Sequence, residues 1–180
     1  MKILLRPICS LLLLLASATA SSAAGHAKYF VLVVWDGMRP DFVTPELTPT
    51  LYALRRQGVW FANHPPVYPS STEVNGTALA TGMFPEDSHI IANDEYRPEI
   101  DPLKQVPMQS LKAVRRGDAA TGGKYIAVPT VAELLHARNF TTAVVGAKPV
   151  ALLQDRQARD DDSSNPIWFA DGGFPPSRLA

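Results

Sequence analysis

The chain of 180 residues has one cysteine, and a single thiol excludes a disulfide scaffold. Long apolar runs are equally scarce. Leu11 to Ala16 is too short to span a bilayer comfortably, so a membrane anchor is the weaker reading of the amino terminus. Lys2 and Arg6 stand ahead of that run and Ala18-Thr19-Ala20 behind it, a basic region, an apolar core and a small-x-small cleavage site. Residues 1–20 therefore read as a secretory signal peptide, which predicts a secreted or periplasmic protein with no stable membrane anchor. Cys9 follows Pro7 and Ile8, which is no lipobox context, and it leaves with the signal. The mature chain then has no thiol chemistry.

An excess of positive charge is also missing. Without Lys2 and Arg6 the basic residues fall from 17 to 15 against 17 acidic ones, a net charge near −2 that argues against a nucleic-acid-binding domain. About 160 residues remain, enough for one core by the usual size of domains. Nothing in the sequence fixes an oligomeric state.

Tyr29 to Trp35 is a continuous apolar run, the pattern of a strand buried on both faces of a parallel sheet. Thr48-Pro49 reads as an N-cap with proline at the first helical position, Leu51 and Leu54 on one face, and Gly58 at the end. Val59 to Ala62 and Pro66 to Tyr68 read as extended chain, and Thr72 to Ala80 as a second helix. Ile91 to Tyr125, rich in Pro, Gly, Asp and Lys, shows no clear period and is expected to be an irregular surface excursion. Thr130-Val131-Ala132-Glu133 matches a capping box opening a helix through Arg138. Thr141 to Val145 reads as a strand, Pro149 to Gln154 as a short helix, Asp160 to Ser164 as a solvated loop with calcium binding the minority alternative, and Ile167 to Ala170 as the start of another strand. Alternating strands and helices predict an α/β sheet.

Two short runs carry the chemistry. Val33 to Asp41 delivers Asp36 at the end of an apolar segment, and Tyr68 to Gly82 places Thr72 where a helix begins, with Asn93 following. A carboxylate that can bind a hard cation, and a hydroxyl at a helix end that favours anions, are what a metal-activated alcohol nucleophile needs. Each also has an ordinary role: Asp36 can cap the loop after a strand, Thr72 can be a simple N-cap, and Asn93 a turn residue. The histidines His26, His64, His89 and His136 do not fall in a ligand pattern, and His136 is expected to pack or face solvent.

Asp36-Gly37-Met38-Arg39-Pro40-Asp41, Tyr68-Pro69-Ser70-Ser71-Thr72-Glu73-Val74-Asn75, Ala80-Thr81-Gly82 with Phe84-Pro85-Glu86, and Ile90-Ile91-Ala92-Asn93 together resemble the type I phosphodiesterase/nucleotide pyrophosphatase family of the alkaline phosphatase superfamily. The resemblance implies an alkaline-phosphatase-like α/β sandwich with a mostly parallel central sheet, truncated at the C-terminal side. Residues 21–180 would then be the N-terminal part of a catalytic domain, incomplete. It implies two Zn²⁺ ions with the remaining ligands beyond Ala180, a small phosphorylated substrate, Asp36 as a first metal ligand, Thr72 as nucleophile and zinc contact, and Asn93 as donor to a non-bridging phosphate oxygen. The implied activity is hydrolysis of phosphodiester or pyrophosphate bonds. A phosphonate-cleaving hydrolase of the same superfamily and a non-catalytic fragment are the alternatives, and a sulfatase fits less well, for want of a Cys/Ser-x-Pro-x-Arg context.

Three departures from the family pattern stand out. Glu86-Asp87-Ser88-His89 stands where Glu-x-His-Gly is usual, so the turn before Asn93 lacks its glycine. Ser71 stands where animal members often carry lysine. Glu73 stands where nucleotide-cleaving members often place a stacking aromatic, which predicts a carboxylate beside the substrate, and Lys148 is a candidate compensating charge that reads better as a surface lysine. The sequons at Asn75 and Asn139 are expected to be unmodified.

Overall fold

A computed structural model describes residues 27–157, 159, 163–170 and 172–174. The signal-peptide segment 1–20, with Cys9, and also His26 and Asp160 to Asp162, lie outside these residues. The chain divides into two compact units, Met1–Pro40 and Asp41–Ala180. In the first, Tyr29 to Trp35 runs without strand pairing and its side chains are 53% to 88% exposed, so the expected buried strand is not formed. A strand exists only through its ladder, and no described segment pairs with this one. The run ends in a tight turn: the Met38 N–H donates to Trp35 O at 3.2 Å, and Gly37, at φ 77°, takes the positive-φ position that a type II turn gives to glycine.

A 3-10 turn at Pro40–Phe42 follows in the chain, and the first helix of the second unit is α1 (Pro49–Gln57). Pro49 starts α1 as expected, but the Thr48 hydroxyl donates to Phe42 O at 2.9 Å instead of capping the helix, and no α1 residue is fully buried. Helix α2 (Thr72–Thr81) ends at Gly82, φ 69°, and is followed by the short α3 (Pro85–Ser88). Strands β1 (Asp94–Glu95) and β2 (Val106–Pro107) pair antiparallel, Glu95 opposite Val106. Helices α4 (Leu111–Thr121) and α5 (Val131–His136) follow, then β3 (Val144–Gly146), a 3-10 helix at Pro149–Leu153, β4 (Ile167–Phe169) and β5 (Gly172–Phe174). In the sheet β3-β4-β5 the first pair is parallel, Val144 opposite Ile167, and the second antiparallel. The described residues are thus mixed α/β with small sheets, and the mostly parallel central sheet expected is not shown among them.

The largest correction concerns 91–125. This stretch contains β1, β2 and the eleven-residue α4, and it supplies most of the main core: Ile100, Val106, Met108, Ala113, Val114 and Tyr125, joined by Ile90, Ile126 and Leu153. The helix is amphipathic, but its buried face is made of small residues, Ala113, Val114 and Gly117, set in a stretch whose Pro, Gly, Asp and Lys content reads as loop. A Cβ on Gly117 would run into the Tyr125 ring, so the ring lies directly on the helix backbone. The buried Tyr125 hydroxyl donates to Met108 O at 2.9 Å, and burial pushes its phenol well above the usual range.

Other expectations shift by a few residues. The Thr130 capping box forms as read: its hydroxyl accepts from the Glu133 N–H at 3.3 Å, and the Glu133 carboxylate accepts from the Thr130 N–H at 2.7 Å. Arg156 then bonds that carboxylate at 2.7 Å and Ile126 O at 2.6 Å, tying α5 to the core. The strand expected from Thr141 starts at Val144, because the Thr142 N–H is taken by the Asn165 side chain at 2.9 Å before the ladder begins. No described helix is long and apolar enough to cross a membrane.

Gly117→Ala should destabilise the protein by about 1–3 kcal/mol, the usual cost of overpacking a filled core; urea denaturation checks it, and an unchanged midpoint would contradict this packing. His89, the residue after α3, has φ 63°, a left-handed conformation that glycine adopts without strain. His89→Gly should therefore raise stability, by about 1 kcal/mol, seen as a higher thermal midpoint.

Candidate active site

The site is built on the first turn of α2. Ser71, φ −142° and ψ 165°, is the extended N-cap, and Thr72 is the first helical residue, half-buried. The first N–H groups of any helix lack intrahelical partners and present partial positive charge. Here the Ser71 side chain forms no cap, and among the described residues its buried Oγ has no hydrogen-bond partner. The second residue is capped from elsewhere in the chain: the Glu73 N–H donates to Asn93 Oδ1 at 3.2 Å. Thr72 and Asn93, 21 positions apart, are thereby held at one helix end. With Oδ1 engaged by the Glu73 N–H, the Asn93 amide also carries Nδ2, a donor on the same group.

The approach to this turn is fixed by Asn75, a residue given no structural role by its sequence. Asn75 Oδ1 accepts from the Val67 N–H at 3.0 Å, and its Nδ2 donates to Ser71 O at 3.1 Å. One amide thus fastens the incoming chain to the helix start, across the cis Tyr68-Pro69 peptide. An asparagine inside a helix, four residues after the N-cap, was the available signal, since that residue type favours caps and turns over helix interiors. Both ends of the amide are engaged.

The inner face of α2 carries Glu73, Val74, Thr77 and Ala80, all buried. It lies on the 3-10 helix Pro149–Leu153, where Gln154 Nε2 donates to Gly76 O at 3.0 Å and a Cβ on Gly76 would meet Val150 Cγ2 at 2.9 Å. Glu73 is 0% exposed, so the expectation that its carboxylate borders the substrate is corrected. Position 73 shares a face with 74, 77 and 80, and that face is turned into the protein. Lys148, before the 3-10 helix, is exposed as expected.

Asp36 belongs to the first unit, exposed in the Trp35–Met38 turn, whereas Thr72 and Asn93 belong to the second. Its turn position matches the ordinary role of an aspartate after an extended run. Among the described residues no group of three His, Cys, Asp or Glu side chains is placed to hold a metal ion. His136 packs, the first of the two roles expected, with a polar contact as well: its Nε2 lies 2.8 Å from Thr142 Oγ1 and 3.3 Å from the buried Asp155 carboxylate. The glycine missing before Asn93 is replaced in conformation by His89, whose φ of 63° gives the turn the left-handed residue it needs.

The type I phosphodiesterase/nucleotide pyrophosphatase model matches residues 30–170. Over 68 residues the chain is 34% identical to the ectonucleotide pyrophosphatase/phosphodiesterase family member 1 of Homo sapiens, which covers 37% of this chain and 7% of that protein. Member 5 of Homo sapiens is 31% identical over 84 residues, 47% of this chain and 18% of that one. An uncharacterized pyrophosphatase/phosphodiesterase of Schizosaccharomyces pombe is 31% identical over 68 residues, 38% of this chain and 14% of its own length. The matched stretch thus spans less than a fifth of each relative. No solved structure matches the chain. The family match takes in the Asp36 turn, the Thr72 helix and the Asn93 loop, and runs over well more than half of the sequence: the chain belongs to the type I phosphodiesterase/nucleotide pyrophosphatase family.

Proposed function

We propose that the full-length protein containing this chain hydrolyses phosphodiester or pyrophosphate bonds in a small phosphorylated substrate, with Thr72 as the nucleophile. The supporting observation is the 3.2 Å hydrogen bond from the Glu73 N–H to Asn93 Oδ1, which sets an amide donor beside a hydroxyl at a helix N-terminus. The Thr72 hydroxyl gives its proton to solvent as its oxygen attacks phosphorus, the bond to the leaving oxygen breaks and that oxygen takes a proton from solvent, and water then cleaves the phospho-threonine, restoring the Thr72 hydroxyl. Negative charge that grows on the phosphoryl oxygens meets the positive end of α2, a ten-residue helix, and the Asn93 Nδ2 hydrogens. The leader read at residues 1–20 makes this a secreted or periplasmic enzyme.

Zinc dependence belongs to the same proposal, as an inference from the family. Asp36 and Thr72 are two oxygen donors, whereas a zinc site takes three or four protein ligands. The donors in the described residues do not fit a two-zinc centre by themselves, and the steps above use only the chain's own groups.

Residues 21–180 alone should therefore bind Zn²⁺ weakly and should not cleave a bis-aryl phosphodiester. Calorimetric titration and a turnover assay check this, and metal-dependent turnover by the fragment would contradict it. In the full-length protein Thr72→Ala should abolish turnover and Thr72→Ser should retain part of it, because serine keeps the attacking oxygen. Asn93→Ala should cost about 10² to 10³ in kcat, the usual loss for one preorganised donor. Near-native kcat in Thr72→Ala would overturn the covalent mechanism.

A further inference from the structure

Asn93 sits in a loop with no regular structure of its own, yet its side chain must stay within hydrogen-bond reach of α2. Glu95 and Arg97 stitch that loop together. Glu95, the buried residue of β1, turns its carboxylate back under the chain that precedes it: Oε1 accepts from the Ile91 N–H and, at 3.0 Å, from the Ala92 N–H. Its Oε2 accepts from Arg97 Nε at 2.9 Å. Arg97 also donates through Nη2 to the His89 carbonyl, and its guanidinium stands 5.9 Å from the centre of the Tyr125 ring. Every main-chain residue from 89 to 92 except Ile90 is thus bonded to this ion pair, and the Ile90 N–H lies 3.4 Å from Ser88 Oγ. On the far side Asn93 O accepts from the Met108 N–H at 2.8 Å. Charge-assisted bonds to main-chain groups are stronger than neutral ones, and this pair is largely desolvated, with the Glu95 side chain 5% and the Arg97 side chain 15% exposed.

We infer that Glu95, locked by Arg97, is a positioning residue for Asn93: it fixes the 91–93 turn so that the Asn93 amide caps Glu73 and faces the phosphoryl group at Thr72. The inference rests on the proposed role of Asn93, and its chemistry is indirect, since the carboxylate reaches the site only through the peptide groups of Ile91 and Ala92.

The test is a double-mutant cycle in the full-length protein. Glu95→Ala should lower kcat for a bis-aryl phosphodiester about 10²-fold with little change in KM, the loss expected for a catalytic group displaced by about 1 Å. Glu95→Gln, which keeps an acceptor for the two amides but loses the charge on Arg97, should fall between it and wild type. Because the effect runs through Asn93, Asn93→Ala with Glu95→Ala should match Asn93→Ala alone within about twofold. Multiplying losses would overturn the inference. Amide hydrogen exchange supplies a readout independent of turnover: Glu95→Ala should expose the Glu73 N–H as much as Asn93→Ala does, while the Asn75 N–H, bonded to Ser71 O at 3.0 Å, stays protected. If Asn93→Ala leaves kcat unchanged, the role of Asn93 in the proposed function is lost, but exchange at Glu73 still decides the positioning, and unchanged protection there in Glu95→Ala overturns it. Should Glu95→Ala unfold α2 altogether, Glu95→Gln decides: wild-type exchange and kcat in that variant would overturn the inference.

Discussion

A helix leaves its first N–H groups without intrahelical partners, and those groups are also its attraction for an anion. In this chain the second of them is satisfied by Asn93, from a loop twenty residues downstream, and not by the N-cap Ser71. That bond performs the service of an ordinary cap, and it also fixes where the Asn93 amide stands relative to Thr72. Stability of the helix end and geometry of the site are then one interaction. The rest of the second unit can be described as what keeps its two partners still.

On the helix side, Asn75 holds the incoming chain and Gly76 lets the 3-10 helix Pro149–Leu153 approach the α2 backbone, with Gln154 bonded to the Gly76 carbonyl. On the loop side, the Glu95–Arg97 pair and the β1–β2 ladder hold the chain on either side of Asn93. Both supports lead to the main core: Val150 packs against it from the 3-10 helix, and Met108 and Tyr125 lie in it beneath the loop. Each half of the site is anchored in the same hydrophobic cluster, so a change of packing at Gly117 or Tyr125 lies under the loop that carries Asn93.

How much of this was legible depends on how local each signal is. The capping box at Thr130 and Glu133 could be read because both partners lie within one turn, and proline at the start of α1 for the same reason. Thr72 and Asn93 could be singled out by motif and residue type, but the bond that brings Asn93 to this helix end runs from the Glu73 N–H to its side chain across twenty residues, and no spacing rule reports that. Glu73 misled because it stands where family members place an aromatic beside the substrate, whereas its place on the face with Val74, Thr77 and Ala80 turns it inward. Helix α4 was missed because a face of alanine, valine and glycine packs well without being strongly apolar. Tyr29 to Trp35 reads as a strand by composition, and a strand also needs a partner, which no run of residues can show by itself.

The central claim is that Thr72 and Asn93 act on the same phosphoryl group. A crystal structure of the full-length protein with orthovanadate, which mimics phosphorus at the point of transfer, tests it most directly. Vanadium bonded to Thr72 Oγ1, with Asn93 Nδ2 within about 3 Å of a vanadate oxygen, is the predicted result. Vanadate bound away from Thr72, or bonded to it with Asn93 out of reach, would contradict the account.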